Sequence, residues 1–493
     1  MSNSPRLGRR ADTIRSVNRR TKIVATIGPA SANETTLKAM VEAGMDVARL
    51  NLSHGTLEEH IDRVHQIRRI AQSAGREVGV LADLPGPKVR VAAFEEPVNL
   101  VVDKEIFLAP GDPDDVSTGD RLLVDYEGLL SDVRVGDRLA IGDGAIVLEV
   151  TDHLDTQLRA QVLFGGRTQG RPGLHIPSDR LNISTPTRED LRLLDAMIET
   201  DVDFVALSFV RSAHDVRRVG VEPAPRGPLV IAKIETRAAV ENLDGIIHES
   251  GAIMVARGDL GTECSIQELP HLQKKIIARC IALGRPVITA TQMLESMITA
   301  PSPTRAEASD VANAVFDGSS AVMLSAETAI GIDPPHVVAT MDRIAHRADQ
   351  EFDYAGWAHQ LRRDQLGEPQ GLDAAVTDVM TMATWQAARE IKAEAILSIS
   401  RSGFTVRAIA RFRPEAPILA FSPEERTVRQ LTMSWGATPI KIDRIDDNLT
   451  TVHKVLELAK MKGHLRSGDI VAVLGGSSAN SGSTDTLRMV RCP

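Results

Sequence analysis

The sequence predicts an α/β protein, namely a (β/α)8 TIM barrel with an inserted β-barrel lid domain and a C-terminal open α/β domain. The main observation is that short apolar segments alternate with amphipathic helical segments over about the first 350 residues, with a single long interruption. Eight such units close into a parallel barrel with the helices outside. Aromatic residues make up only 3% of the chain, so the buried strands must be aliphatic, as is usual in parallel sheets.

The predicted barrel strands are runs of five or six residues rich in Val, Ile, Leu and Ala. They are residues 22–27, 46–50, 78–83, 203–208, 229–233, 252–256, 286–290 and 321–325. Periodic apolar positions between these runs predict helices. Examples are residues 34–42, 57–74, 190–199, 266–283 and 305–315.

The interruption after the third strand has a different sequence pattern. Short apolar runs recur at residues 121–124, 138–141 and 145–150, and Gly-Asp pairs separate them, as at Gly119–Asp120 and Gly136–Asp137. Turn dipeptides between short strands are typical of hairpins. The sequence therefore predicts a small β domain inserted in a barrel loop, over residues 88–184.

The rest of the chain completes the division into domains. Residues 351–372 are polar and predict an irregular connection, after which strands are predicted at residues 395–400, 417–421, 439–442 and 470–474. The expected units are then a basic extension, a barrel in two parts around the lid, and an α/β regulatory domain. Their ranges are 1–20, 21–87, 88–184, 185–350 and 351–493.

Composition excludes several classes of function. The chain of 493 residues has 57 Lys+Arg against 66 Asp+Glu, a net charge of −9, which argues against broad nucleic-acid binding. No apolar stretch of about 20 residues is present, so no membrane span is expected. The three cysteines show no CxxC spacing, so neither a disulfide framework nor a zinc site is expected, and a cytoplasmic location is predicted.

The N-terminal 22 residues are rich in arginine and contain one acid, Asp12. They lack the apolar segment of a secretory signal. We expect a solvated, poorly ordered extension, and a weak similarity to an organellar transit peptide leaves that alternative open.

Polar residues follow the predicted barrel strands, and in such a barrel the carboxyl ends of the strands share one mouth. Glu235 and Asp259 are hard oxygen ligands suited to Mg²⁺ or Mn²⁺. Arg49, Arg90 and Lys233 are suited to phosphate oxygens. Cations beside a hard metal ion favour phosphoryl transfer, which depends mainly on positioning and charge neutralisation.

The chain resembles the pyruvate kinase family along almost its whole length. The matching segments are Thr21–Ser31, Ala43–Gly55, Gly86–Arg90, Ile231–Glu235, Ile253–Gly261, Ala290–Met297 and Pro303–Gly318. The resemblance implies transfer of the phosphoryl group of phosphoenolpyruvate to ADP, with Mg²⁺ or Mn²⁺ as cofactor. It also implies a homotetramer.

The resemblance implies a role for each site residue. Arg49 and Lys233 would contact the transferring phosphoryl group, and Glu235 and Asp259 would hold the metal. Gly258 and Asp259, through their backbone, would hold the substrate carboxylate together with Thr291, which would also lie near the face where the enolate is protonated. The residues facing the nucleotide or a monovalent-cation site would be Asn51, Ser53, His54 and Arg90.

Several positions depart from the family pattern. Lys88 stands where potassium-dependent members have Glu, and its ammonium group can supply the charge that K⁺ brings. Activity without K⁺ is therefore expected, with Asn51, Ser53, Asp83 and the Leu84 carbonyl as remnants of the cation site. Three other departures are Pro85 in the lid hinge, Pro172 on the nucleotide side and Ala326 in the strand-eight turn. Pro172 stands where the family usually has a Lys, for which the neighbouring Arg171 would substitute.

A possible effector site follows the first C-terminal strand. Ser400, Ser402 and Thr405 precede or begin a predicted helix, where hydroxyl and N–H groups can bind the phosphate of a sugar-phosphate or nucleotide effector. An ordinary helix N-cap explains the same pattern.

Two other functions remain open at this point. Another Mg²⁺-dependent barrel acting on pyruvate-like enolates would need neither the lid nor the nucleotide side. A catalytically weak sensor would bind sugar phosphates through its C-terminal domain without turnover.

Overall fold

The computed structural model describes residues 19–142, 144–364, 372–445, 448–476 and 484–493. The first part of the chain forms strands alternating with helices. These are β1 (Lys22–Thr26), α1 (Glu34–Glu42), β2 (Val47–Asn51), α2 (Leu57–Ser73) and β3 (Gly79–Asp83). Thr56 and Glu59 form a reciprocal capping box that fixes the start of α2.

The insertion is built almost entirely of strands. Its elements are β4 (Ala93–Leu100), β5 (Glu105–Pro110), β6 (Val116–Ser117), β7 (Arg121–Val124), α3 (Leu129–Asp132), β8 (Arg138–Ile141), β9 (Ile146–His153), β10 (Leu158–Phe164), β11 (Gly166–Gly170) and β12 (Leu174–His175). A six-stranded sheet, β12-β8-β9-β10-β5-β7, and a three-stranded sheet, β11-β4-β6, share one hydrophobic core. The expected inserted β domain is therefore confirmed.

The second part of the barrel resumes the β/α alternation. Its elements are α4 (Arg188–Glu199), β13 (Phe204–Leu207), α5 (Ala213–Arg217), β14 (Leu229–Ile234), α6 (Arg237–Glu241), α7 (Leu243–Glu249), β15 (Ala252–Ala256), α8 (Arg257–Glu263), α9 (Leu269–Ala282), β16 (Val287–Ala290), α10 (Arg305–Phe316), β17 (Ala321–Leu324), α11 (Ala326–Ala329) and α12 (Pro334–Glu351). A 3-10 turn at Glu295–Ile298 precedes α10.

The predicted barrel is confirmed. Eight parallel strands close in the order β1-β17-β16-β15-β14-β13-β3-β2. Each strand begins and ends within one residue of its predicted bounds, because the buried aliphatic runs are as long as the strands. Aliphatic side chains fill the barrel interior and the layer between the strands and the helices.

The C-terminal part is an open α/β unit. Its elements are α13 (Tyr354–Asp364), α14 (Leu372–Glu390), β18 (Ala395–Ile399), α15 (Phe404–Ala410), β19 (Ile418–Ser422), α16 (Glu425–Gln430), β20 (Ala437–Lys441), α17 (Asn448–Met461), β21 (Ile470–Gly475) and β22 (Thr486–Arg491). The strand order is β20-β19-β18-β21-β22, and only β22 is antiparallel to its neighbour. Among the described residues, no helix is long and apolar enough to cross a bilayer.

One expected connection proved to contain a helix, and one strand was not predicted. The region predicted to be irregular contains α13, whose Trp357 packs on Phe352 and donates a hydrogen bond to the Arg411 carbonyl at 2.9 Å. Tertiary contacts of this aromatic residue stabilise a helix that its polar neighbours do not indicate. The edge strand β22 was not anticipated either, although it pairs with β21 over six residues.

The expectation of a solvated extension over residues 1–22 is wrong for the part that the structure describes. Arg19 is buried, and its guanidinium lies 2.9 Å from Asp46 and 2.7 Å from Asp342. The Arg20 guanidinium lies over the rings of Tyr354 and Trp435, where cation–π attraction stabilises it. Arginines 6, 9, 10 and 15 lie outside the described residues.

Asp46 is the acceptor on which this N-terminal anchor depends. Besides Arg19, its carboxylate accepts a hydrogen bond from the Ile23 N–H at 2.9 Å. Burial acts to raise the pKa of Asp46, but Arg19, Lys22 and Arg76 outweigh it, so this pKa lies below its ordinary value. A depressed carboxyl pKa stabilises the fold above the pKa of the unfolded chain, and this stabilisation is lost as pH falls through the native value.

We expect Asp46→Asn to destabilise the barrel by about 3 kcal/mol at neutral pH, because it leaves buried cations without their counter-charge. Urea denaturation measures this, with the exposed Asp195→Asn as the matched control. The difference between parent and variant should shrink as pH falls below 4, about the ordinary pKa of an aspartate. Equal stability at pH 7 would contradict the role assigned to Asp46.

Candidate active site

The carboxyl ends of the barrel strands surround a cavity of ≈ 340 Å³. It is lined by side chains from opposite sides of the barrel; among them are Thr26, Arg49, Asn51, His54, Lys233, Asp259, Thr291, Ser325 and Ala326. The structure thus brings most of the site residues expected from the sequence to one mouth. A neighbouring cleft of ≈ 480 Å³ contains Ser53, Lys88 and Arg90, with Pro85 and Gly86.

A single buried carboxylate, Asp83 at the end of β3, positions both central cations. Its Oδ2 accepts from Arg49 Nε at 2.7 Å, and its Oδ1 lies 3.5 Å from Lys233 Nζ. Burial acts to raise the pKa of Asp83, but Lys233 and Arg49 lower it below its ordinary value. Asp83, expected as a remnant ligand of a cation site, is therefore an ionised counter-ion shared by two cations.

Further contacts fix the direction of both cations. Arg49 Nη1 donates to Thr26 Oγ1 at 2.9 Å, and Lys233 Nζ donates to Ser208 Oγ at 2.8 Å. Neither Thr26 nor Ser208 was predicted to be a site residue. The signal that could have found them was their position, since Thr26 ends β1 and Ser208 directly follows β13.

Lys233 and Glu235 form an ion pair at the end of β14. Lys233 Nζ lies 2.8 Å from Glu235 Oε1, and the Phe209 N–H donates to Oε2 at 2.7 Å. Burial acts to lower the pKa of Lys233, but Asp83, Glu235 and Asp259 raise it above its ordinary value, so the ammonium group stays charged. Burial raises the pKa of Glu235 to about 7, opposed by Lys233 and assisted by Asp259.

The residues present suit a divalent metal ion. Glu235 Oε1 is buried and lies 2.8 Å from Lys233 Nζ without an aligned hydrogen bond. Burial raises the pKa of Glu235, and a bound cation would favour its ionised form. Asp259 is close enough to contribute to that shift. Among the described residues no cluster of three or more ligands forms, so the two carboxylates would suit Mg²⁺, which usually takes few protein ligands together with water and substrate oxygens.

Thr291 is held in a strained left-handed conformation with φ of +67°. Its hydroxyl accepts from the Gly258 N–H at 2.8 Å and donates to the Ala290 carbonyl at 2.7 Å. The buried Arg257 donates to the Thr291 carbonyl at 2.6 Å and pairs with Asp310 at 2.7 Å. Arg257, which the sequence analysis did not assign, therefore positions Thr291, and the Gly258 amide expected for a substrate carboxylate is engaged by Thr291.

The residues expected around the nucleotide and the monovalent cation are divided between the two spaces. Asn51 and His54 line the central cavity, whereas Ser53, Lys88 and Arg90 line the neighbouring cleft. The Leu84 carbonyl accepts the Ser208 hydroxyl at 2.7 Å, so one of its lone pairs is already engaged. Burial, with Arg90, Lys88 and Arg49, lowers the pKa of His54, which favours its neutral imidazole.

Lys88 is exposed and lines the cleft at the junction of the inserted β domain and the barrel. Partial burial lowers its pKa, and Arg90 adds to this effect, while Asp259 and Glu235 oppose it. Arg171, expected to replace a lysine of the family, lies 3.1 Å from Asp125 of the inserted β domain, and its carbonyl accepts from Arg90 at 3.3 Å. The adjacent Pro172 accepts from the Val91 N–H at 2.9 Å.

Two of the three hydroxyl groups expected to bind an effector phosphate, those of Ser400 and Thr405, already have partners. Ser400 Oγ accepts from the Gly403 N–H at 3.0 Å, and Thr405 Oγ1 lies 2.7 Å from Thr484 Oγ1. Ser402 contributes its carbonyl, which accepts from Arg407 at 3.0 Å. Gly403 precedes α15 with φ of +76°, a conformation that favours glycine.

Charge at the barrel mouth is arranged to hold an oxyanion between fixed cations, with carboxylates for a hard metal ion close by. Phosphoryl transfer needs this combination, because positioning and electrostatic stabilisation supply most of its catalysis. Fold and site therefore define a TIM-barrel phosphotransferase.

Comparison with known proteins narrows that class. The family model described as pyruvate kinase, barrel domain, matches residues 18–338, and the pyruvate kinase alpha/beta domain matches residues 378–490. The chain is 37% identical to the pyruvate kinase of Bacillus licheniformis over 96% of its length and 80% of that protein. It is 36% identical to that of Clostridium acetobutylicum, over 95% of this chain and 99% of the other.

A solved structure agrees with these sequence matches. The crystal structure of a pyruvate kinase from Cryptosporidium parvum superposes with a TM-score of 0.87 and 32% identity, covering 96% of each chain. The chain belongs to the pyruvate kinase family. This family generally uses a divalent metal ion.

We expect Asp83→Asn to lower the turnover of phosphoryl transfer by about 100-fold, because a misplacement near 1 Å costs about that much. Arg49 and Lys233 would lose the charge that holds them together. The measurement is kcat and KM, with the exposed Asp155→Asn as the matched control. Unchanged kcat in a folded Asp83→Asn protein would show that the shared carboxylate does not position these cations.

Proposed function

We propose that this chain transfers the phosphoryl group of phosphoenolpyruvate to ADP, giving pyruvate and ATP in the last step of glycolysis. The observation that carries the proposal is the pairing of Arg49 and Lys233 on the buried carboxylate of Asp83. The pair lies beside two carboxylates suited to a metal ion. Fixed positive charge there suits a phosphoryl group whose negative charge is redistributed as it moves.

Each site residue has a proposed role in this reaction. Arg49 and Lys233 bind the transferring phosphoryl group, and Lys233 stabilises the transition state. Glu235 and Asp259 hold Mg²⁺ or Mn²⁺, which supplies electrostatic stabilisation of the transferred group. Thr291, with the Gly258 and Asp259 backbone, holds the substrate carboxylate, so the carboxylate displaces the Thr291 hydroxyl from the Gly258 amide.

The enolate formed on phosphoryl loss becomes pyruvate only when it is protonated. Thr291 lies on the mouth, and its hydroxyl donates to the Ala290 carbonyl. We therefore propose that Thr291 orders the proton path through water, rather than losing its own proton first.

Asn51, His54 and Arg90 are proposed for the nucleotide side. We also propose that Lys88 replaces the monovalent cation, with Asn51, Ser53, Asp83 and Leu84 as remnants of that site. The engagement of Asp83 by Arg49 and of the Leu84 carbonyl by Ser208 supports this reading, because neither group is left entirely free for K⁺.

The location, the oligomeric state and the roles of the domains are also proposed. We infer a cytoplasmic homotetramer in which residues 88–184 act as the lid and residues 351–493 as the regulatory domain. Ser400, Ser402 and Thr405 would bind the phosphate of a sugar-phosphate or nucleotide effector. That role requires the Ser400 and Thr405 hydroxyls to exchange their present partners.

We expect Lys233→Met to reduce turnover by about 1,000-fold or more, because removal of one preorganised charge donor has effects of that size. The assay couples pyruvate formation from phosphoenolpyruvate and ADP, with Mg²⁺, to a spectrophotometric signal. The exposed Lys38→Met is the matched control. Full activity of the Lys233→Met variant would overturn the proposed mechanism, whereas lack of ADP-dependent pyruvate formation by the parent would favour another enolate-handling barrel or a sensor.

We expect the parent to be active without K⁺ and Lys88→Glu to require K⁺, because the substitution removes the ammonium charge and adds a carboxylate that attracts a cation. Turnover is measured in K⁺-free buffer and again after addition of KCl. Lys88→Gln, which changes the charge by one unit instead of two, serves as the comparison. Near-complete loss of parent turnover without K⁺, or a fully active Lys88→Glu variant under those conditions, contradicts the role of Lys88.

A further inference from the structure

A small, partly open cavity lies between the C-terminal unit and the end of the barrel opposite the catalytic mouth. Four arginines line it, together with Ser434 and Trp435. The arginines are Arg285, Arg407, Arg411 and Arg413. Arg285 directly precedes the β16 region, and Arg407 belongs to α15, so the cavity lies where the two units meet.

Unpartnered hydrogen-bond donors are concentrated around this cavity. Six buried donor atoms of its lining have no hydrogen-bond partner within the described parts of the chain. They are Nε and Nη1 of Arg407, Nε and Nη1 of Arg413, Oγ of Ser434 and Nε1 of Trp435. Buried donors without acceptors are costly, so their concentration in residues that line one cavity points to a missing acceptor.

The lack of a counter-ion beside Arg407 also indicates a missing anion. Its guanidinium is buried, and its Nη2 donates to the Ser402 carbonyl at 3.0 Å. Burial and the neighbouring Arg285 lower the pKa of Arg407 to about 9. Within the described residues, no carboxylate pairs with Arg407, and a lone charge in such a site is strongly disfavoured.

Arg411 and Arg413 are better compensated, whereas Arg285 donates to the Ile247 and His248 carbonyls at 3.3 Å and, among the described residues, has no carboxylate partner. Arg411 pairs with Asp378 at 2.6 Å. Arg413 lies over the rings of Phe352, Trp357 and Trp435 and donates to the Gly318 and Ser319 carbonyls. Asp349 acts on Arg413 through space. Arg407 is therefore the cation that most needs a counter-ion.

We propose that this cavity binds one small inorganic anion of about the size of chloride. The space open to the centre of a water-sized sphere is only ≈ 10 Å³, enough for about one water or one monatomic ion. A sugar phosphate or nucleotide does not fit. A water would bring two further donors to a lining already rich in donors, whereas an anion only accepts.

The anion links segments that are distant in sequence. It joins Arg285 at the barrel end to Arg407 in α15, and to Ser434 and Trp435 between α16 and β20. Arg407 also holds the carbonyl of Ser402. Binding of the anion therefore stabilises both the contact between the two units and the base of the loop at 400–405.

The first experiment compares thermal unfolding of the full chain in sodium chloride and in sodium gluconate at equal ionic strength, since gluconate is too large for the cavity. Chloride should raise the unfolding midpoint by about 3 °C or more, because a ligand bound only to the native state stabilises it. Arg407→Met should lose this difference, and the exposed Arg347→Met should keep it. An equal chloride effect in the parent and Arg407→Met overturns the proposal.

The second experiment locates the ion and does not depend on a variant that folds. Crystals of the parent are soaked in sodium bromide, and anomalous scattering is measured at the bromine edge. The proposal predicts a peak within about 3.5 Å of the Arg407 guanidinium, a normal contact distance for a halide, and Ser434→Ala should weaken it. A cavity that shows only water, or a peak without any chloride-dependent stabilisation, overturns the proposal as well.

Discussion

The buried carboxylate of Asp83 is the constraint on which the catalytic end of the barrel depends. Two cations this close to one another would repel strongly in a site of low dielectric. Asp83 offsets that repulsion by pairing with Arg49 through one oxygen and facing Lys233 with the other. Breaking such a buried arrangement is costly, because each remaining charge is left uncompensated. The positions of Thr26 and Ser208 matter for the same reason, since they orient cations that the carboxylate has brought together.

The opposite end of the barrel also depends on buried charge, but there it holds the C-terminal unit. Asp203, which precedes β13, receives Arg68 at 2.7 Å and Arg429 of α16, also at 2.7 Å. Gln430 donates to the Asp203 and Gly227 carbonyls at 3.2 and 3.1 Å. The proposed anion cavity lies at this same end of the barrel. The barrel thus separates the phosphoryl-transfer groups at its mouth from the charges that join the two units.

Much of the site was predictable because strand ends have a fixed geometry in a barrel. Lys233 and Asp259 follow or end strands whose aliphatic runs are unambiguous, and parallel closure places those ends around one cavity. The partners of these residues were harder to predict. Asp83 was noticed as a possible cation ligand, yet only the folded register shows that it pairs with Arg49. Arg257 was given no role, because its contact with the Thr291 carbonyl depends on the backbone that follows another strand.

The sequence by itself determined the eightfold alternation, the inserted β domain and the polar strand ends, because apolar periodicity and turn residues are local properties of the chain. Tertiary structure alone decided that Arg19 and Arg20 are anchored by Asp46 and aromatic rings. It also decided that α13 is a helix, that the Gly258 amide is engaged by Thr291, and that four arginines converge at the far end of the barrel. These features arise from pairings between residues distant in sequence, and the energy of a buried charge depends on which partners the fold brings to it.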